Sequence, residues 1–74
     1  MITPAQCRAA RALLDWSQQD LAKGAHLGLS TIRDFEKGRR VPTHNNLRGI
    51  KLALEEGGVE IGEKNSSVAM KGER

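Results

Sequence analysis

Five side chains between Leu29 and Lys37 carry most of the chemistry in this 74-residue chain. At about 100° per residue, Ser30, Arg33, Asp34 and Lys37 share one side of a short helix, with Leu29 at their flank. Ile32 and Phe35 fall on the opposite side, with Gly28 between them. Two large apolar residues facing away from small, polar and basic ones suit a helix laid on a core with its outer face offered to a ligand. Side chains of these types are able to meet the edges of base pairs. A leucine such as Leu29 can pack on a thymine methyl, a serine such as Ser30 can donate or accept, an arginine such as Arg33 can fork onto guanine, and an aspartate such as Asp34 can accept from a cytosine amino group. Two other assignments stay open: Arg33 on a phosphate, and Asp34 repelling wrong sequences.

The segment 17–38 supplies the elements that would position that face. Ser17 is an N-cap and Asp20, three residues on, completes a capping box, so a helix starts here. Leu21 and Ala22 turn inward, and Gly24-Ala25-His26 ends the helix after about two turns. Gly28 caps the next helix, less well than a hydroxyl would. Gly38 stands where a left-handed C-terminal residue is expected.

A charge pair is expected between elements. Cys7, Ala10 and Leu14 share one face of a preceding helix, and Arg11 sits on that face too. Glu36 lies at the edge of the apolar side of the later helix. A guanidinium on a core-facing stripe is costly unless paired. The reading therefore predicts an Arg11–Glu36 salt bridge joining the first and third helices. The alternative is that Arg11 snorkels to water.

With these residues placed, the chain resembles the phage repressor and Cro type of helix-turn-helix protein, the xenobiotic-response-element family. The matching residues are Arg11, Ser17-Gln18, Leu21-Ala22, Ser30-Thr31-Ile32, Glu36, Gly38, Arg40, Pro42 and Thr43, and the similarity covers about residues 3–57. The resemblance implies an all-α, compact four-helix repressor-like domain over 1–57, with a recognition helix at 28–38 in the major groove. It gives Gln18 the position whose side chain bonds a DNA phosphate, helped by free amides at that helix start. Lys37, Arg39 and Arg40 are the other expected phosphate contacts. Thr31 is either one more or a plain surface residue. Two positions depart from the family. His26 replaces the usual turn glycine, which puts a side chain at positive φ, and Gly28 replaces a hydroxyl cap.

Composition narrows the classes. A chain this short makes one small domain without room for a large catalytic cleft. Trp16 and Phe35 are its aromatics, so Ala, Leu and Ile must fill the core. Residues 1–54 hold nine lysines and arginines against four acids, and residues 55–74 three against five. The excess clusters at Arg33, Lys37, Arg39, Arg40, Arg48 and Lys51, the footprint of a phosphate binder. Cys7 is a lone thiol on a buried face and fits a reducing cytoplasm. No apolar run approaches a membrane span and no signal-peptide pattern opens the chain. His26 and His44 have no partner at metal-ligand spacing, and neither a nucleophile–base pair nor a glycine-rich phosphate loop occurs, so no cofactor, metal or enzymatic activity is expected.

Thr3-Pro4-Ala5-Gln6 opens the first helix with an N-cap, a proline at the first position and a capping-box glutamine, and the helix should run to Leu14 or Asp15. Trp16 closes the core near the Ser17 cap. Pro42 keeps Val41 out of helix. Thr43 caps a fourth helix to about Glu56, with Leu47, Ile50 and Leu54 buried and Leu52 pointing away; Gly57-Gly58 stops it. The extension 58–74 alternates at Val59-Glu60-Ile61 and again at Val68-Ala69-Met70, separated by the turn-rich stretch Gly62–Ser67. This predicts a small hairpin used in dimerisation; a disordered tail is the competing reading.

The expected function is sequence-specific binding of double-stranded DNA by a bacterial or phage transcriptional regulator, a repressor, acting as a homodimer on a palindromic operator. Alternatives are an antitoxin that binds a toxin partner, and a helical protein-interaction module that keeps the fold without DNA. The module would be expected to carry an apolar or acidic outer face on the third helix, where this chain has Ser30, Arg33 and Lys37 against Asp34.

Overall fold

The computed structural model describes residues 1–62 and 67–72. Four helices come first: α1 (Pro4–Leu14), α2 (Gln18–Ala25), α3 (Leu29–Glu36) and α4 (His44–Gly57). Two short strands follow, β1 (Val59–Ile61) and β2 (Val68–Met70).

Local chemistry sets the helix starts. The Thr3 hydroxyl accepts from the Gln6 amide and the Gln6 side chain accepts from the Thr3 amide, the reciprocal pair of a capping box. Ser17 and Asp20 repeat it at α2. Thr43 caps α4 through the Asn46 amide. Gly28 begins α3 with no side-chain bond.

The helix ends are less uniform. Gly38 follows α3 at φ +75°, where its amide reaches the Phe35 carbonyl and the Arg39 amide reaches that of Asp34. Asp15 and His26 close α1 and α2 with the same backbone, both at φ 58°, although both carry a Cβ. The turn at His26 is intact, and Trp16 and Leu27 make the longer closing bonds back to Arg11 and Ala22. An L-residue held there costs roughly 1–2 kcal/mol, offset in part by the chain entropy that glycine would lose. His26→Gly is therefore expected to stabilise the fold by about 0.5–1 kcal/mol in urea denaturation. A loss of stability would mean that the imidazole makes a contact worth more than the strain.

The core joins all six elements. Cys7 and Ala10 of α1, Leu21 and Ala22 of α2, and Ile32 and Phe35 of α3 meet Leu47, Ile50, Ala53 and Leu54 of α4. Val59 and Ile61 close it from β1, with Glu60 between them exposed. Trp16 is half-buried and lies over the end of α4, where a Cβ added to Gly57 would stand 2.7 Å from two of its ring atoms. Gly57 is thus the last residue of α4, needed for this close approach. Gly58, at φ +123°, is the residue that ends the helix.

The hairpin reading of the C-terminal segment is the one the structure shows. The strands pair antiparallel, Val59 with Met70, Glu60 with Ala69 and Ile61 with Val68. They do not stand alone, because β1 and β2 pack on α1 and β1 packs also on α4. Buried Gln6 sends its amide to the carbonyls of Gly62 (2.6 Å) and Ser67 (3.3 Å), at the mouth of the hairpin. One side chain thus completes the α1 cap and anchors the strands, a second role that the capping pattern did not reveal. The turn expected at Gly62–Ser67 has residues 63–66 outside the described residues.

Candidate nucleic-acid interface

Glu36, the last residue of α3, is the hub that orients this helix. It is 4% exposed, and its carboxylate receives four side-chain donors. Arg11 binds it with two prongs, Nε to Oε2 at 2.7 Å and Nη2 to Oε1 at 2.8 Å. Gln18 Nε2 donates to Oε1 at 3.0 Å, and the Cys7 thiol donates to Oε2 at 3.1 Å. Arg11 also donates to the Trp16 carbonyl (3.0 Å), and Arg8 donates to the Glu36 backbone carbonyl. Among the described residues no buried side-chain nitrogen or oxygen lacks a partner.

The electrostatics follow from this crowding. Burial alone would raise the Glu36 carboxyl, but the hydrogen bonds from Arg11, Gln18 and Cys7 outweigh it and hold the group below the usual carboxylate range. Burial, reinforced by the Glu36 carboxylate, pushes the Cys7 thiol far up, so it stays protonated and serves as a donor. A bidentate arginine fixes direction as well as distance. The end of α3 is thereby locked to α1 through Arg8 and Arg11, and to the start of α2 through Gln18.

With Ile32, Phe35 and Glu36 buried, the opposite side of α3 faces outward. Ser30, Arg33 and Lys37 are exposed there, with Leu29, Thr31 and Asp34 half-buried around them. Arg39 and Arg40 are exposed in the loop that follows. Gln18 lies at the start of α2, half-buried, with one amide hydrogen given to Glu36; its second hydrogen and its carbonyl remain for another partner. Of the residues anticipated at the site, Ser30, Arg33 and Lys37 thus share the outward side of α3 with Leu29, Thr31 and Asp34 at its flanks, Arg39 and Arg40 follow in the loop, and the Gln18 amide is drawn toward the buried carboxylate.

The sequence reading placed the Arg11–Glu36 pair but missed three of its supports: Cys7, Arg8 and the amide of Gln18. A cysteine on a buried stripe signals packing, and Cys7 packs and donates at once. Arg8 has no signal in the sequence, since an arginine on an exposed helix face is ordinary until a helix C-terminus is brought against it.

Two helices joined by the three-residue turn 26–28, the second seated on the core by one face and bare on the other, form a helix-turn-helix. That unit presents a helix to DNA. The chain belongs to the helix-turn-helix family of the Cro/C1 type, whose model it matches over residues 8–61. It is a DNA-binding regulator of transcription. No curated protein is similar enough to count as a match. Among the described residues no helix is long and apolar enough to cross a membrane.

Proposed function

We propose that the protein recognises a specific double-stranded DNA operator and represses transcription by occupying it. The segment 28–38 enters the major groove. Leu29, Ser30, Arg33 and Asp34 meet base edges, while Gln18, Thr31, Lys37, Arg39 and Arg40 hold phosphates. The observation that carries this reading is the open outer face of α3: the hairpin packs on α1 and α4 and leaves Ser30, Arg33 and Lys37 exposed. The charge on that face argues against a module that binds only protein. One domain of this size gives modest affinity, so a homodimer on a palindromic operator, with half-sites about one DNA turn apart, is part of the proposal.

Selection from a random duplex pool, followed by fluorescence anisotropy on the winning sequence, tests it. Arg33→Ala is expected to lower the preference for that sequence over random DNA by ~1–3 kcal/mol. Equal loss on both DNAs would move Arg33 from base to phosphate. Absence of binding to any duplex at low salt would overturn the function itself.

A further inference from the structure

α4 carries a second unpartnered face, on the side away from the core. Leu52 is 58% exposed there, and Arg48 and Glu56, one turn before and one turn after it, are exposed as well. Beside Leu52 lies a shallow hollow lined by Asn45, Arg48, Gly49 and Leu52. Those four positions are i, i+3, i+4 and i+7 of one helix, the diamond that accepts a single side chain in knobs-into-holes packing. On its other flank lies a groove where Met1, Ile2 and Leu47 stand among the polar side chains of His44, Lys51 and Glu55.

Gly49 has no internal justification. A Cβ built on it would meet only the Ala25 carbonyl, at 3.8 Å, an ordinary contact. Alanine fits the fold at this position, yet the chain keeps glycine in a helix interior, where it costs about 1 kcal/mol relative to alanine. A side chain at 49 would narrow the hollow.

We propose that α4 packs antiparallel against α4 of a second copy of this chain, Leu52 of each copy filling the hollow of the other. The charges select this partner. With Leu52 of the second copy seated between Asn45, Arg48, Gly49 and Leu52, its Glu56 lies one turn further on, level with Asn45 and one turn from Arg48. Helical side chains lean toward their own N-terminus, so in an antiparallel pair Arg48 and that Glu56 lean toward each other. Two-fold symmetry repeats the contact at the other end. A single helix pair buries little area, so the dimer is weak and concentration-dependent. The proposed operator reading supplies the use for this dimer, two half-sites held together, but not the grounds for it.

Sedimentation equilibrium of the full chain without DNA tests the interface, and a monomeric result there leaves DNA binding to be judged by anisotropy alone. The wild-type chain is expected to show a reversible monomer–dimer equilibrium. Leu52→Glu and Arg48→Glu should each weaken it at least about tenfold, with unchanged circular dichroism because both positions are exposed. Arg48→Glu combined with Glu56→Arg should restore it. A chain that stays monomeric throughout its soluble range, or a dimer indifferent to Leu52→Glu, overturns the proposal. Failure of the charge exchange to restore association overturns the antiparallel arrangement.

Discussion

Replacing Glu36 by alanine is expected to lower folding stability by about 3–5 kcal/mol in urea denaturation, a large part of what a domain of this size possesses. The change leaves the Arg11 guanidinium, 19% exposed, without its counter-charge, and deprives Gln18 and the Cys7 thiol of their acceptor. The pair is a requirement of the fold more than a net source of stability. Arg11→Met with Glu36→Leu, which removes both charges together, should therefore recover most of the loss. A cost below about 1 kcal/mol for Glu36→Ala would show that Arg11 simply turns to water. Acid should act on the same carboxylate. Its folded pKa is depressed, so its contribution is fully present above the unfolded value, about 4.3, and is lost as pH falls through the lower folded value. Glu36→Gln is expected to flatten that acid limb.

Removing Lys37, Arg39 and Arg40 together should have the largest effect on DNA. All three are exposed at the end of α3 or in the loop after it, and none contributes to the core, so the fold should survive. If each neutralises one phosphate, the dependence of log K on log salt should shallow by about 2–3, which at ~0.1 M salt amounts to two to three decades of affinity. The loss should be nearly equal for operator and random duplex, because phosphates carry no sequence. Anisotropy titrations at several salt concentrations measure both quantities. An unchanged slope would remove these residues from the backbone contacts.

What the sequence disclosed follows the range of the interactions involved. Thr3 with Gln6 and Ser17 with Asp20 are caps made within four residues of chain, so spacing alone reveals them. The buried stripe Leu47–Ile50–Leu54 and the outward Leu52 follow from helical periodicity for the same reason. Arg11 with Glu36 was the long-range contact within reach, because a charge on an apolar face demands a partner. Asp15 was not legible: its left-handed backbone is fixed by where Trp16 must go, and Asp gives no warning of it. Nor was Gly57, explained by the Trp16 ring laid over it, or the pull of Glu36 on the Gln18 amide. At the interface, the sequence indicated which side chains share a face of α3. The arrangement of α1 and α2 that holds that face open required the folded structure.

The amide of Gln6, spanning 56 and 61 residues to Gly62 and Ser67, bears on the order of assembly. Loop closure over such separations is entropically slow, and short strands with little area of their own cannot form ahead of the surface they rest on. The four helices are therefore expected to consolidate before the ribbon clips onto them, and pulse-labelled hydrogen exchange should show the strand amides protected last. Maturation of the ribbon thereby becomes a report on whether the opening turn of the chain is in place.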